Sequence, residues 1–151
     1  MNLLKMNSKP GTYVLVLQSE TSASAQIGRW GCLDVRPGYY IYVGSALGPG
    51  GVLARVSRHC RDLKSRHWHI DYLREFTHVV SVWYRYSPNR LEHRWAGEVA
   101  KLSGTEPVKG FGCSDCRCQS HLFYSLSEPE LAGFAAAVRS SVRSWSCEPA
   151  G

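Results

Sequence analysis

No apolar run in the 151 residues approaches the length of a membrane-spanning helix. The stretch from Met1 to Gly11 carries Lys5 and Lys9 but lacks the apolar segment that a secretory signal needs. A soluble, cytoplasmic protein is therefore expected. Internal repeats, low-complexity tracts and linker-like segments are also missing. A chain of this length buries about two thirds of its unfolded surface in one core, so a single domain over residues 11–151 is expected, preceded by a short extension over 1–10. Acidic residues are in deficit: twelve Asp and Glu stand against eighteen Lys and Arg, a formal charge of +6 and a pI near 9.1. That balance suits a polyanionic partner such as nucleic acid, and also serves plain solubility.

Cysteine is present in even number, at 32, 60, 113, 116, 118 and 147. With no export signal the thiols are expected to stay reduced rather than form crosslinks. Three of them crowd into Cys113-Ser114-Asp115-Cys116-Arg117-Cys118, with His121 shortly after. Thiolate and imidazole suit Zn²⁺, but the spacing is tight for one tetrahedral site and no second cysteine pair completes a finger. Two readings stay open: a zinc site of Cys113, Cys116, Cys118 and His121, or reduced cysteines packing and capping a turn.

Tyr13 to Leu17 and Tyr39 to Val43 are short β-rich runs, each bounded by Pro-Gly or Gly. Residues 18–36 between them form a small hairpin or a loop. Leu47-Gly48-Pro49-Gly50-Gly51 is a turn that leads into a helix from Val52 to Leu63, whose buried stripe is Val52, Val56, Cys60 and Leu63. A strand is expected over Val79 to Tyr86. Ser87-Pro88 then reads as a cap opening a helix through Leu102, with Leu91, Trp95 and Val99 inward. A last amphipathic helix is expected from Pro129 to Arg143. The expected class is α/β in the broad sense (α+β), a small, mainly antiparallel sheet flanked by helices.

Arg55 and His59 lie four apart on the first helix, about 40° from each other and clear of its apolar stripe. Alternation in a strand puts Tyr40, Tyr42 and Gly44 on one side, and Tyr13 can share that sheet face if its strand pairs alongside. Each tyrosine can equally be a packing residue. Phosphodiester hydrolysis needs a group to orient and deprotonate water, a cation for the phosphate charge, and help for the leaving oxygen. Arg55 offers a permanently charged fork. Glu92, beside the apolar stripe of Leu91, Trp95 and Val99, offers a carboxylate. Arg58, Arg61 and Lys64 add positive charge along the same helix as Arg55. His67, His69 and Asp71 alternate, which makes either one ligand face of an extended segment or a polar helix start.

Gly11-Thr12-Tyr13 and Tyr42-Val43-Gly44, followed in order by Arg55, His59 and Glu92, resemble the GIY-YIG nuclease superfamily over roughly positions 11 to 102. The resemblance implies Tyr13 at the attacking water, Tyr42 and His59 as supporting hydrogen-bond groups, Arg55 on the phosphate and Glu92 on one divalent cation, Mg²⁺ or Mn²⁺. Whether Tyr13 or His59 is the base stays open, since a free phenol is only about one part in a thousand ionised at pH 7. Gly44, Arg58, Arg61, Lys64, His67 and His69 are then candidate nucleic-acid contacts. Thr12 and Val43 replace the pattern's isoleucines, and the two triplets stand much farther apart than the roughly ten residues common in the superfamily. With His67-Trp68-His69-Ile70-Asp71 and the segment from Ser114 to His121, that long insert is similar to a functionally uncharacterised branch of the superfamily, whose members also occur fused to base-excision glycosylases. The implied function is a divalent-metal-dependent endonuclease acting on duplex, damaged or branched DNA in repair, with a base-excision glycosylase as a further partner. The alternative is a catalytically silent nucleic-acid-binding module or a zinc-stabilised interaction module.

Overall fold

The computed structural model describes residues 5–61, 65–112 and 120–146. In chain order the elements are β1 (Gly11–Ser19), β2 (Ala23–Ile27), β3 (Gly31–Val35), β4 (Gly38–Ala46), α1 (Gly51–Cys60), α2 (His69–Leu73), β5 (His78–Tyr86), α3 (Glu92–Ala100), β6 (Glu106–Pro107), β7 (Leu122–Ser125), α4 (Leu131–Val138) and β8 (Arg143–Ser146). Six strands form one sheet in the order β6-β7-β4-β1-β5-β8, and every pairing is antiparallel. β2 and β3 make a separate two-stranded hairpin, which settles residues 18–36 as a hairpin rather than a loop. The α+β class expected from the sequence is the one observed.

β1 sits at the centre of the sheet and explains its own sequence. Tyr13-Val14-Leu15-Val16-Leu17 is apolar without alternation because both faces of this strand are covered. Tyr13, Leu15 and Leu17 face a core shared with Val52 and Val56 of α1, Ile70 and Leu73 of α2, and the β2–β3 hairpin. Val14 and Val16 face the opposite core, shared with Trp95 and Val99 of α3 and Phe134 and Val138 of α4. Each of these fully buried side chains contributes about 1.5–3 kcal/mol, so the two helical layers hold the sheet from either side. No helix among the described residues is long and apolar enough to cross a membrane.

The helix ends differ from the expected ones for local reasons. α3 begins at Glu92 rather than Pro88, because the Ser87 hydroxyl accepts the Asn89 N–H at 3.1 Å and holds residues 87–90 outside the helix. α1 stops at Cys60, where Arg61 turns extended, and the expected last residue, Leu63, lies outside the described residues. α4 stops at Val138 with Arg139 in the left-handed region (φ 53°), and the chain returns as edge strand β8 instead of continuing helically to Arg143. β6 and β7 were not anticipated either. All three short strands follow from pairing rather than from their own composition.

Within the stretch read as an extension, residues 6–9 pack against the domain. Met6 is buried in the α1-side core. The Asn7 and Lys9 carbonyls accept the Leu53 and Val52 N–H groups at 3.1 and 3.0 Å, satisfying amides that an α-helix leaves unpaired at its start. This close docking leaves no room at Gly51, which has φ 60° and whose Cβ, if present, would stand 2.2 Å from the Ser8 carbonyl oxygen. Gly51→Ala is expected to lower stability by at least about 2 kcal/mol, from left-handed strain and the backbone clash together. Thermal melting of the variant checks this. An unchanged Tm would mean that the first turn of α1 is not held by residues 7–9.

Candidate functional site

The start of β1, the end of β4 and the body of α1 meet at one end of the sheet. Tyr13 is paired with Gly44 across β1 and β4, and its ring lies where a side chain on residue 44 would be: a Cβ there would stand 2.4 Å from the Tyr13 hydroxyl. Glycine at 44 is thus required by Tyr13. The side-chain space at Gly44, a residue expected to contact nucleic acid, is filled by Tyr13. From above, α1 lowers His59 onto the same spot, and the Tyr13 hydroxyl and His59 Nε2 are 2.7 Å apart. Each of these two residues is only 1% exposed, which corrects the expectation that His59 points outward beside Arg55. His59 Nδ1 is buried and has no hydrogen-bond partner among the described residues.

Burial governs the charge state of the pair. It lowers the His59 pKa to about 3, with Asp71 pulling upward and Arg55, Arg58 and Arg74 pushing down. Desolvation also raises the Tyr13 pKa well above 10, helped by Tyr42 and by the Glu92 charge, while Arg55 acts in the opposite sense. At neutral pH the site holds a neutral imidazole against a protonated phenol.

A second group of residues fixes the cation. The Arg55 guanidinium lies 4.4 Å from the centre of the Trp68 ring, and that of Arg58 lies 4.1 Å from it. Arg58 forms two 2.8 Å hydrogen bonds to Asp71, whose side chain is wholly buried and also accepts the His67 and Trp68 N–H groups at 2.8 and 2.9 Å. Burial alone would raise the Asp71 pKa, but these bonds to Arg58 and the two amides hold it low. Arg58 therefore serves α2 and Trp68, not solvent. Trp68 escaped the sequence reading; its position between two histidines, with three arginines nearby in the chain, was the available signal.

The third side is aromatic and acidic. Tyr42 and His69 both pack edge-on against Phe111, at ring-centre distances of 6.4 and 5.6 Å, and Trp30 from the β2–β3 hairpin does so at 5.6 Å. Phe111, fully buried, was also missed. Glu92 opens α3, where the helix N-terminus favours a carboxylate. Its oxygens lie 3.8 Å from Arg90 and 3.9 Å from His121 Nδ1. His121 is buried, which lowers its pKa against the upward pull of Glu92. It also accepts the Val43 N–H through its backbone oxygen at 2.9 Å, so it belongs to the wall beside β4.

Tyr13, Tyr42, Arg55, His59 and Glu92 are thereby gathered at one end of the sheet. Of the other expected contacts, Arg58 and His69 pack beside this group. Arg61 and His67 are exposed beyond and before helices, and His69 starts α2, making the His67 to Asp71 segment a helix start rather than one extended ligand face. Lys64, Cys113, Cys116 and Cys118 lie outside the described residues. Among the described residues no three His, Cys, Asp or Glu side chains come together as a metal cage. The arrangement offers a stacked guanidinium for an anion, one carboxylate for a cation, and a phenol–imidazole pair for moving a proton.

The depressed His59 pKa has a consequence for stability. The unfolded chain takes up a proton near pH 6.5 that the folded chain refuses until about pH 3, so stability falls as pH drops through that window, by up to about 1.4 kcal/mol per pH unit. Urea denaturation between pH 6 and 4 is expected to show this slope, and His59→Gln to flatten it. An equal slope in the variant would remove His59 as its source.

No curated protein and no solved structure matches the chain. The family model described as Domain of unknown function DUF123 matches residues 12–143, and the chain belongs to that family.

Proposed function

We propose that the protein is a divalent-metal-dependent endonuclease of the GIY-YIG type, hydrolysing DNA phosphodiester bonds. The observation that carries this reading is the buried 2.7 Å contact between the Tyr13 hydroxyl and His59 Nε2, with Arg55 and Glu92 both near enough for their charges to act on that phenol. Damaged or branched duplexes are the proposed substrates, and a base-excision glycosylase is a fitting partner.

The chemistry follows from the charge states. Arg55, whose guanidinium lies over the Trp68 ring, would meet the scissile phosphate with its fork. The phenol is too weak an acid to act as a free phenolate, so Tyr13 works as a relay: its oxygen takes a proton from the attacking water while its own proton passes to His59 Nε2. The new P–O bond forms as the P–O bond to the leaving oxygen breaks, and the phosphate charge developed there rests on Arg55. Glu92 suits Mg²⁺ or Mn²⁺, because Mg²⁺ commonly takes one protein carboxylate, with waters and phosphate oxygens completing its shell. When bound, the cation would supply charge neutralisation at the leaving oxygen.

The 1% exposure of Tyr13 and His59 favours a second reading, a nucleic-acid-binding module that does not turn over. Incubation of the purified protein with nicked, flapped, branched and damaged duplexes in Mg²⁺ or Mn²⁺ separates the two, since the module binds without nicking.

Glu92→Gln is expected to abolish metal-dependent nicking with the melting curve preserved. Nicking at the wild-type rate would remove Glu92 from the metal. Arg55→Ala is expected to slow nicking by about 10² to 10³, and Arg55→Lys to recover only part of that loss, because an ammonium group reproduces neither the fork nor the flat stack.

Tyr13→Phe should cost about 10² to 10⁴ in rate with DNA affinity kept. Because His59 must be unprotonated to receive the relayed proton and its pKa is near 3, kcat/KM should rise with pH only in the acid range and stay flat through pH 6.5. A rate that climbs tenfold between pH 5.5 and 6.5 would contradict a buried His59 acceptor.

A further inference from the structure

On the other face of the same sheet end, a cleft of about 140 Å³ opens between the end of β5, the start of α3 and the end of α4. Leu91, Trp95 and Val138 form its apolar lining, while Arg85, Arg94 and Arg139 reach it from three different elements, with Ser87 and Asn89 at its side. Among the described residues no carboxylate lines it. Three arginines lining so small a space carry like charges that a bound anion would offset.

Two of the arginines have a structural task. Arg94 donates to the Val138 carbonyl at 3.1 Å and Arg85 to the Ser141 carbonyl at 3.4 Å, satisfying acceptors left at and beyond the end of α4. Each bond occupies one N–H of the five on a guanidinium. Arg139 takes no part in these bonds. It nevertheless occupies the residue after α4 with φ 53°, the one left-handed non-glycine residue among those described. Glycine is the usual occupant of such a position, and any other side chain costs about 1–2 kcal/mol there. Capping accounts for Arg85 and Arg94 but gives no reason for Arg139.

We propose that this cleft binds a phosphate group, with Arg94 and Arg139 as its principal charged donors and Ser87 and Asn89 as neutral ones. Forked N–H groups match phosphate oxygens two at a time. Arg85 pairs with Thr12, the neighbour of Tyr13, across β5 and β1, so the cleft and the Tyr13 site lie at one end of the sheet on opposite faces. A nucleic-acid strand crossing that end can set one backbone phosphate in the cleft, and a free phosphate is the other source of the same chemistry.

The test is NMR of the arginine Nε–H groups in the whole protein, titrated at constant ionic strength with inorganic phosphate and, separately, with a short single-stranded oligonucleotide. Saturable shifts of the Arg94 and Arg139 signals are expected, with affinity reduced about tenfold in Arg139→Gly, the loss of one charge-assisted contact. That variant also relieves the left-handed strain, so it should melt no lower than the wild type and a loss of binding cannot come from unfolding. A tighter oligonucleotide titration that weakens in Arg139→Gly assigns the cleft to a strand phosphate, and equal affinity for both probes assigns it to free phosphate. Absence of saturable shifts with either probe, or shifts undiminished in both Arg139→Gly and Arg94→Gln, would overturn the proposal and leave the arginines as caps of α4. The readout is binding and not cleavage, so its failure leaves the reaction proposed above standing.

Discussion

The contact between the Tyr13 hydroxyl and His59 Nε2 constrains nearly everything around it, because two polar rings are buried to reach each other. A buried hydroxyl or imidazole without a partner costs about 1–3 kcal/mol, so each ring secures the other. For the tyrosine ring to reach His59, residue 44 must have no side chain. For His59 to arrive, α1 must descend onto the β1–β4 seam, which residues 7–9 achieve by holding its first turn so closely that residue 51 must also be glycine. Two glycines that look alike in the sequence thus serve one contact from opposite ends.

Around that contact one arginine is paired with a carboxylate and the other is not seen to be. Asp71 is satisfied by Arg58 and two backbone amides, which anchors α2 and carries Trp68 to its place. The ring of Trp68 then offers its other neighbour, Arg55, a flat surface instead of a carboxylate. A guanidinium on an aromatic face keeps its N–H edge available to an anion, whereas one bound to a carboxylate in both its forks does not. Two arginines on one helix thereby acquire different chemistry from one buried aspartate.

The sheet end concentrates cationic groups on both of its faces, with Arg55 on the α1 side and the arginines of the cleft on the α3–α4 side. Glu92 stands between these two regions at the head of α3, an acidic group in a basic setting.

The α+β class, the three long strands and the existence of all three longer helices were legible from local pattern, since β-rich runs between glycines and helical spacing of Val52 and Val56 or Trp95 and Val99 are properties of short windows. The order of Tyr13, Tyr42, Arg55, His59 and Glu92 was legible too. Helix ends were read less well, because a single hydroxyl at Ser87 and a left-handed Arg139 decide them. β6, β7 and β8 escaped because they are strands only by virtue of their neighbours. By itself the sequence determined which residues can build a phenol, imidazole, guanidinium and carboxylate site. Only the tertiary structure decided that His59 is buried and neutral, that Arg58 is committed to Asp71 while Arg55 rests on Trp68, and that Gly44 is occupied by Tyr13. Burial, dielectric and partner choice arise from groups far apart in the chain, and no local window of residues contains them.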